Sequence, residues 1–420
     1  MEYPHVLAED FETYSALKAE DERQRVGLEL IPSENYVSKA VLEALGSSMT
    51  NKYSEGLPGK RYYGGQQNTD KVETLAIERA CQLFSCKYAN VQPLSGAPAN
   101  LAAYFALMEP GDTILGMDLS HGGHLTHGHP MTVASKLFRF VTYQMKNPDT
   151  GEIDYDGLRE VALKEKPKVI LAGFSAYSRD LDWNKFRNIA LEVNAYLMAD
   201  IAHIAGLIVG KALANPFDFG FDIVTTTTHK TLRGPRGGMI LVRDSEELIK
   251  KVNKAVFPGL QGGPHMNNIA AKAIAFKEAQ SPAFQTYCKQ VLKNAKAMEN
   301  IFREAGIRMI GGGTDNHLLL LDVQSSFGIS GKEAETLLDE VGITLNKNVI
   351  AGDTRSPLDP SGIRLGTPAI TTRGFNELDC EGVASVIVET LRLRQATNGN
   401  NLLIRELATL KPIPDQLLTT

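Results

Sequence analysis

The stretch IVTTTTHKTLRGPRGG, Ile223 to Gly238, decides how the chain folds around its chemistry. Its first five residues, IVTTT, are all β-branched, the composition of a buried strand. His229 and Lys230 follow. Then Gly234, Pro235, Gly237 and Gly238 halt regular structure and bring the backbone close to whatever lies there. A lysine leaving a buried strand into a glycine-rich turn stands at the rim of a sheet, where α/β proteins place their ligands. Partly desolvated, with His229, Arg233 or Arg236 as a neighbouring cation, its amine loses basicity and can form a Schiff base with an aldehyde. An ordinary surface lysine is the competing reading.

Upstream, AYLMADIA (Ala195–Ala202) is an apolar strand ending in Asp200, with His203 and Gly206 beyond. A carboxylate at the end of a buried strand is costly to ionise unless a cation or strong donors meet it. A protonated pyridine nitrogen is such a cation, and an acid there keeps the ring an electron sink. Asp200 and Lys230 are therefore the two anchors that pyridoxal phosphate needs. A helix N-cap is the plainer role for Asp200.

At 420 residues the chain exceeds the usual size of one core, so a large and a smaller domain are expected. The 44 Lys and Arg against 49 Asp and Glu leave a net charge of −5, which argues against nucleic acid or an anionic membrane as the main partner. Four cysteines fit a reducing compartment, and Cys81 and Cys86 lack the spacing of a zinc site. No apolar run approaches about 20 residues, and MEYPHVLAED (Met1–Asp10) has no apolar core, so a cytoplasmic protein is expected.

Along the chain, Glu9–Arg25 reads as a polar arm helix, and LELIPSENY (Leu28–Tyr36) breaks at Pro32 to offer Ser33, Glu34 and Asn35 in a loop. TNKYSEGLPGKRYYGG (Thr50–Gly65) has neither period, and such a long irregular segment usually serves a site or a subunit contact. Helix resumes over Gln66–Phe84, with Thr69 or Asp70 as cap. Strands are expected at Tyr88–Pro93, Thr113–Met117, Leu137–Tyr143, Val169–Phe174, Tyr196–Ala199, Ile223–Thr227 and Gly238–Val242. Interleaved with helices, these seven make an α/β fold with a mostly parallel sheet covered on both faces. Ser95 to Asn100 opens a helix whose free N–H groups could hold a phosphate, although a plain tight turn reads the same way. Beyond about Pro282 helices at Tyr287–Glu304, Lys332–Val341 and Gly374–Arg394 and strands at Asn316–Val323 and Ile363–Pro368 form an α+β unit. The expected division is an arm over 1–25, a large domain over 26–280 and a small domain over 281–420.

SHGGHLTHGHP (Ser120–Pro130) holds four of the nine histidines. His121, His124 and His127 could converge on a metal ion, but only Asp118 could add a further ligand, so no metal is expected. A histidine stacked on a flat heteroaromatic ring suits the glycine-rich loop better. Arg364, between Gly362 and Gly366, carries a fork suited to gripping a carboxylate, with a surface arginine as the alternative.

The motifs LELIPSENY, TNKYSEGLPGKRYYGG, NVQPLSGAPAN, HGGHLTHG, GFSAY, MADIAHIAGL, VTTTTHKTLRGPRGG, FPGLQGGP, GGTDNH and SGIRLGTPAITTRG occur in this order along nearly the whole chain. Together they resemble serine hydroxymethyltransferase. The resemblance implies a pyridoxal-phosphate-dependent transferase of fold type I, the aspartate aminotransferase type. It also implies conversion of serine and tetrahydrofolate to glycine and 5,10-methylenetetrahydrofolate, by homodimers with shared active sites or by pairs of dimers.

Carried over motif by motif, the resemblance implies that Lys230 forms the Schiff base and Asp200 meets the pyridine nitrogen. His124 would stack on the ring, with His203 and Ser175 near its phenolic oxygen. Ser95, Gly96 and Ala97 would hold the phosphate, completed by Tyr53, Gly262 and Gly263 of the partner subunit. Arg364 and Ser33 would bind the substrate carboxylate, with Tyr63 alongside Arg364. Glu55 of the partner subunit would be the acid/base at the hydroxymethyl group, and His229 and Thr227 would tune Lys230. Leu119, Gly123, His124, Leu125, Asn348 and the loop Ser356, Pro357, Leu358 would border folate.

Two departures stand out. The family usually has SGSxAN where this chain has Ala97, which removes one hydroxyl donor to the phosphate, and it usually has alanine where Pro32 sits. Two rivals compete with this reading. A folate-independent threonine or phenylserine aldolase would share Lys230, Asp200 and Arg364, whereas a non-catalytic scaffold, for instance on RNA, would need none of them.

Overall fold

The computed structural model describes residues 2–414. Among them, the strands β1 (Tyr88–Asn90), β2 (Thr113–Met117), β3 (Arg139–Tyr143), β4 (Val169–Gly173), β5 (Tyr196–Asp200), β6 (Ile223–Thr227) and β7 (Gly238–Val242) form one sheet in the order β1–β7–β6–β5–β4–β2–β3. Neighbours from β6 to β3 pair in parallel, whereas β7 runs antiparallel to both β6 and β1. Alternation buries both faces. Ile114, Leu171, Met198, Ile223 and Ile240 pack into one core, while their neighbours Leu115, Ile170, Leu197, Val224 and Leu241 pack into another.

Several expected boundaries shift for local reasons. The helix expected from Glu9 breaks at Asp10, whose carboxylate accepts from Thr13 N (3.0 Å) and caps α1 (Phe11–Val26), a helix with no buried residue. Helix α2 (Gln67–Phe84) starts without a side-chain cap, because Asp70 turns instead to Gly59 N (2.9 Å) and Arg61 Nε (2.8 Å). The strand expected from Leu137 begins at Arg139, since Thr132 caps a helical turn over Val133–Leu137. The strand expected to stop at Ala199 takes in Asp200, which pairs in register with Gly173 and Thr225. Helix α3 (Gly96–Leu107) packs Ala99, Ala103 and Tyr104 on the sheet.

After α4 (Met266–Ala279), helix α5 (Pro282–Glu304) joins two cores. Phe284, Cys288 and Val291 pack with the large sheet, and Ala297, Met298 and Phe302 with residues further on. That second core lies around an antiparallel sheet of β8 (Leu318–Asp322), β9 (Asn346–Asn348) and β10 (Gly362–Gly366) in the order β8–β10–β9. Leu28 and Leu30 belong to it too, because Leu28–Glu29 pairs in parallel with Ile343–Thr344. The short strand Asn346–Asn348 and the helix Asn398–Leu410 lie outside the expected elements, although Asn400, Ile404 and Ala408 fall one turn apart on that helix's buried face. No helix among the described residues is long and apolar enough to cross a membrane.

Candidate active site

The turn between β6 and the antiparallel β7 carries Lys230. It is closed by Gly234 N donating to Thr228 O (2.7 Å) and Arg233 N donating to Lys230 O (3.0 Å). Asn35 Nδ2 donates to the same Lys230 carbonyl (3.0 Å), so the early loop pins the turn from the other side. The Lys230 side chain is 8% exposed and forms no ion pair among the described residues. Burial pushes its amine down to about 8; Asp200 works against that shift, and Arg364 and Arg236 add to it. His229 accepts from Gly237 N (3.4 Å) through Nδ1, and burial followed by Arg236 keeps its ring neutral.

Asp200 ends β5 level with Thr225 on β6, so its carboxylate and Lys230 share one edge of the sheet. Its Oδ1 accepts from Ala202 N (3.0 Å) within a turn; the helix N-cap expected as its plainer role falls instead to Ile204, ahead of Ala205–Val209, with no side-chain cap bond. Its Oδ2 accepts from Asn100 Nδ2 (2.8 Å) and meets His127 Nε2 (3.1 Å). Burial would raise this carboxyl, but His127 above all, with His124 and Asn100, holds it well below the usual carboxylate range. One chain of hydrogen bonds fixes every orientation. Thr225 Oγ1 donates to Asn100 Oδ1 (2.6 Å), Asn100 Nδ2 donates to Thr126 Oγ1 (2.8 Å), and Thr126 Oγ1 then donates to His124 Nδ1 (2.7 Å).

His124 N donates to His127 Nδ1 (3.2 Å), which leaves the His127 proton on Nε2, facing Asp200. His124, His127 and Asp200 offer ligand atoms within 4.8 Å of one another. With this tautomer His127 donates to the Asp200 carboxylate. Burial, then His127, lowers His124 to about 4, so its ring is neutral at pH 7.

Arg364, on β10, is 9% exposed and meets only neutral partners. Its Nη1 donates to Ser175 O (2.6 Å) and its Nε to Asn346 Oδ1 (3.2 Å), with no ion pair among the described residues. Burial lowers it to about 10, still fully charged at pH 7. Ser175 Oγ lies 3.5 Å from His203 Nε2. The His203 ring stacks on His317 at 5.6 Å and 20°. Burial, then Lys230 and Arg364, keeps His203 unprotonated. The Ser33 loop reaches this region because Gly366 N donates to Leu30 O (2.8 Å) and a Cβ on Gly366 would come within 2.8 Å of Pro32 Cβ.

Ser95 stands at the N-cap of α3 with no side-chain cap bond, so the first N–H groups, those of Gly96 and Ala97, stay open. Close approach shapes this cradle. A Cβ on Gly96 would meet Thr227 Cγ2 at 2.9 Å, and one on Gly238 would meet Ser95 O at 2.4 Å.

Tyr53, Glu55, Tyr63, Gly262 and Gly263 form a second group. Tyr53 Oη and Tyr63 Oη donate to the Glu55 carboxylate (3.2 and 3.0 Å), and Gly262 and Gly263 lie against Glu55 and Tyr53. Within one chain Tyr63 bonds Glu55, while Arg364 meets Asn346 and Ser175. Leu119 and Leu125, 43% and 51% exposed, flank the His124 loop. Gly123 is packed so tightly that a Cβ would come 2.1 Å from Met117 O. Asn348 lies on β9, and Ser356, Pro357 and Leu358 form an exposed loop beyond it.

Two buried cations without acidic partners among the described residues, a carboxylate held ionised and an open helix N-terminus make a donor set suited to an anionic, aldehyde-bearing pyridine ring. Pyridoxal phosphate fits these residues. Asn100, Thr126, Thr225, His317 and Asn346 were not singled out from the sequence. Asn100 alone carries a signal, a polar residue between the alanines and leucine of Ala99–Ala103; the others stand among polar neighbours that give none.

A family model described as "Serine hydroxymethyltransferase" matches residues 6–387. A relative named "Serine hydroxymethyltransferase" from Francisella tularensis subsp. novicida (strain U112) is 56% identical over 382 residues, 91% of this chain and 91% of its own. The proteins of the same name from F. tularensis subsp. mediasiatica (strain FSC147) and subsp. holarctica (strain OSU18) are also 56% identical over 382 residues, with 91% of each chain covered.

Proposed function

The chain belongs to the serine hydroxymethyltransferase family, and from that premise we propose how its own residues carry the family's reaction. The protein is a pyridoxal-phosphate-dependent transferase that moves the hydroxymethyl carbon of L-serine reversibly to tetrahydrofolate, giving glycine and 5,10-methylenetetrahydrofolate. The observation that carries the site reading is the pair of buried cations, Lys230 and Arg364, without an acidic partner among the described residues, beside an ionised Asp200.

Lys230 would hold the cofactor's aldehyde carbon and Asp200 its ring nitrogen, with His124 on the ring face and His203 and Ser175 at the phenolic oxygen. Ser95, Gly96 and Ala97 would hold the phosphate. When bound, pyridoxal phosphate supplies a ring that takes up the electrons left at Cα as the Cα–Cβ bond breaks. Arg364, with Ser33, orients the amino acid by gripping its carboxylate in two parallel bonds. Asp200 stays charged because Asn100 and His127 donate to it, so it would hold a ring nitrogen placed against it in the protonated form. His229, neutral at pH 7, and Thr227 would tune Lys230 from beside it, while burial, Asp200, Arg364 and Arg236 set the basicity of its amine.

Glu55 of the partner subunit moves the proton at the hydroxymethyl oxygen, and Tyr53, Tyr63, Gly262 and Gly263 of the partner subunit complete the phosphate and carboxylate sites. The clustering of these five residues away from the Arg364 contacts supports a homodimer with shared sites, alone or as a pair of dimers. Leu119, Gly123, His124, Leu125, Asn348 and the Ser356–Leu358 loop would border folate, the two exposed leucines shielding the reacting carbon from water. An arm, a large cofactor-binding domain and a small domain divided near residue 280 complete the proposal, supported by two cores that change over along α5. A cytoplasmic location is part of the proposal, supported by four free cysteines, which suit a reducing compartment.

The test is a visible spectrum of the pure protein with pyridoxal phosphate and glycine, repeated after adding tetrahydrofolate. The expected result is a cofactor band that shifts on adding folate, together with serine cleavage that depends on tetrahydrofolate. Serine cleavage indifferent to folate would favour an aldolase, and a colourless, inactive protein would overturn the reading.

A further inference from the structure

One fully buried cation takes no part in the site described so far. Lys272, on α4, is 1% exposed and forms no ion pair among the described residues. Its ammonium is satisfied by backbone alone: Nζ donates to Val91 O (2.7 Å), Gly238 O (2.9 Å) and Pro93 O (3.1 Å). Three acceptors match the three protons of the charged form, whereas a neutral amine could serve only two. Glu73, itself buried, lies near enough to favour that charge against burial, which lowers the amine to about 7.

All three carbonyls frame the phosphate cradle. Val91 and Pro93 belong to the segment between β1 and α3, which has no regular structure and leads directly into Ser95. Gly238 ends the Lys230 turn; its N–H donates to Pro93 O (3.0 Å), and its Cα lies so close to Ser95 that a Cβ would come within 2.4 Å of Ser95 O. The Lys272 stem presses on Gly237, where a Cβ would meet Lys272 Cε at 2.5 Å, and Gly237 N in turn donates to His229 Nδ1 (3.4 Å). Gln261 grips the intervening groups: its Nε2 donates to Gln92 O (3.1 Å), and its Oε1 accepts from Leu94 N (3.0 Å). Consecutive residues from 91 to 94 are therefore held by two side chains and one strand end. A helix N-terminus selects a phosphate only if its N–H groups keep their places, and no ladder holds this loop.

We propose that Lys272, seconded by Gln261, is a positioning residue for the cofactor's phosphate, holding the Val91–Ser95 backbone and the end of the Lys230 turn in one frame. The inference rests on the pyridoxal phosphate reading above. It predicts a loss specific to the phosphate group. Apoprotein is titrated with pyridoxal 5'-phosphate and, separately, with pyridoxal, which keeps the aldehyde and ring but lacks the phosphate. In Lys272→Met, pyridoxal phosphate affinity is expected to fall at least tenfold while pyridoxal affinity stays within about twofold of the original protein. Should Lys272→Met fail to fold, Gln261→Ala releases Gln92 O and Leu94 N alone, and a smaller phosphate-selective loss of about threefold is expected. Equal losses for both aldehydes, or no loss for either, would overturn the role. If the unmodified protein itself fails to prefer the phosphorylated aldehyde, the cofactor reading is what falls.

Discussion

At Lys230 two opposed forces act on one proton, and burial outweighs the attraction of Asp200. With its pKa moved from 10.5 to about 8, the amine is neutral in about one molecule in ten at pH 7, roughly 300 times the fraction of an ordinary lysine. Capture of pyridoxal phosphate by the apoprotein should therefore quicken about tenfold per pH unit up to about 8 and level off above, measured by stopped-flow absorbance. A rate that keeps rising to pH 10 would place the Lys230 amine outside its buried setting. The same shift makes folding less favourable at low pH. The penalty is complete below about 8 and fades as pH rises toward 10.5, because only the unfolded chain holds the proton in that window. Lys230→Ala should lose both the cofactor's visible band and multiple turnovers; retention of both would remove Lys230 from the chemistry. Lys230 and Asp200 were legible in the sequence because a charge at the end of an apolar strand is conspicuous. Asn100 and His127 were not, since their importance lies in hydrogen bonds to Asp200 across many residues of chain.

At the scale of elements, α3 presents an open N-terminus at Ala97, where the motif resemblance leads one to expect serine. A hydrogen bond to a charged group contributes roughly 1.5–3 kcal/mol, so Ala97→Ser should tighten pyridoxal phosphate about tenfold or more in an equilibrium titration. Equal affinity for the two proteins would mean that backbone N–H groups alone satisfy the phosphate. The segment from Tyr53 to Tyr63 shows how an aperiodic stretch becomes rigid. Buried Arg61 reaches Glu73 and Asp70 on α2 and the carbonyls of Ser54 and Gly56, and Gln92 Nε2 adds bonds to Gly56 O (2.9 Å) and Glu73 (2.7 Å). That is why Asp70, a promising helix cap in sequence, turns its carboxylate to Gly59 N and Arg61 Nε instead. Glu55→Gln should spare cofactor binding yet slow the folate-dependent reaction by about 100-fold or more, read by coupled assay; an unchanged rate would clear Glu55 of acid–base work.

For the whole molecule, the two cores meet along α5, and the site lies where turns of the large sheet face the Arg364 strand of the small one. The proposed sharing of Glu55 between subunits has a decisive test. In a two-fold dimer, Lys230→Ala and Glu55→Gln chains expressed together form hybrids with one intact site, so random pairing should restore about a quarter of full activity. No recovery in hybrids, purified by two different tags, would place Glu55 in the same chain's site.

Residue order alone determined the sheet, because strands buried on both faces and parallel by connection leave continuous β-branched and apolar runs, and it also marked the lysine and aspartate at their ends. Only the tertiary structure decided the rest: which neighbours keep Asp200 charged, that Arg364 meets no counter-charge among the described residues, and that a lysine on a distant helix bonds the loop before Ser95. The reason is physical. Periodicity reports which side of an element is buried, whereas a polar contact depends on where two elements bring their side chains, and nothing in local sequence encodes that distance.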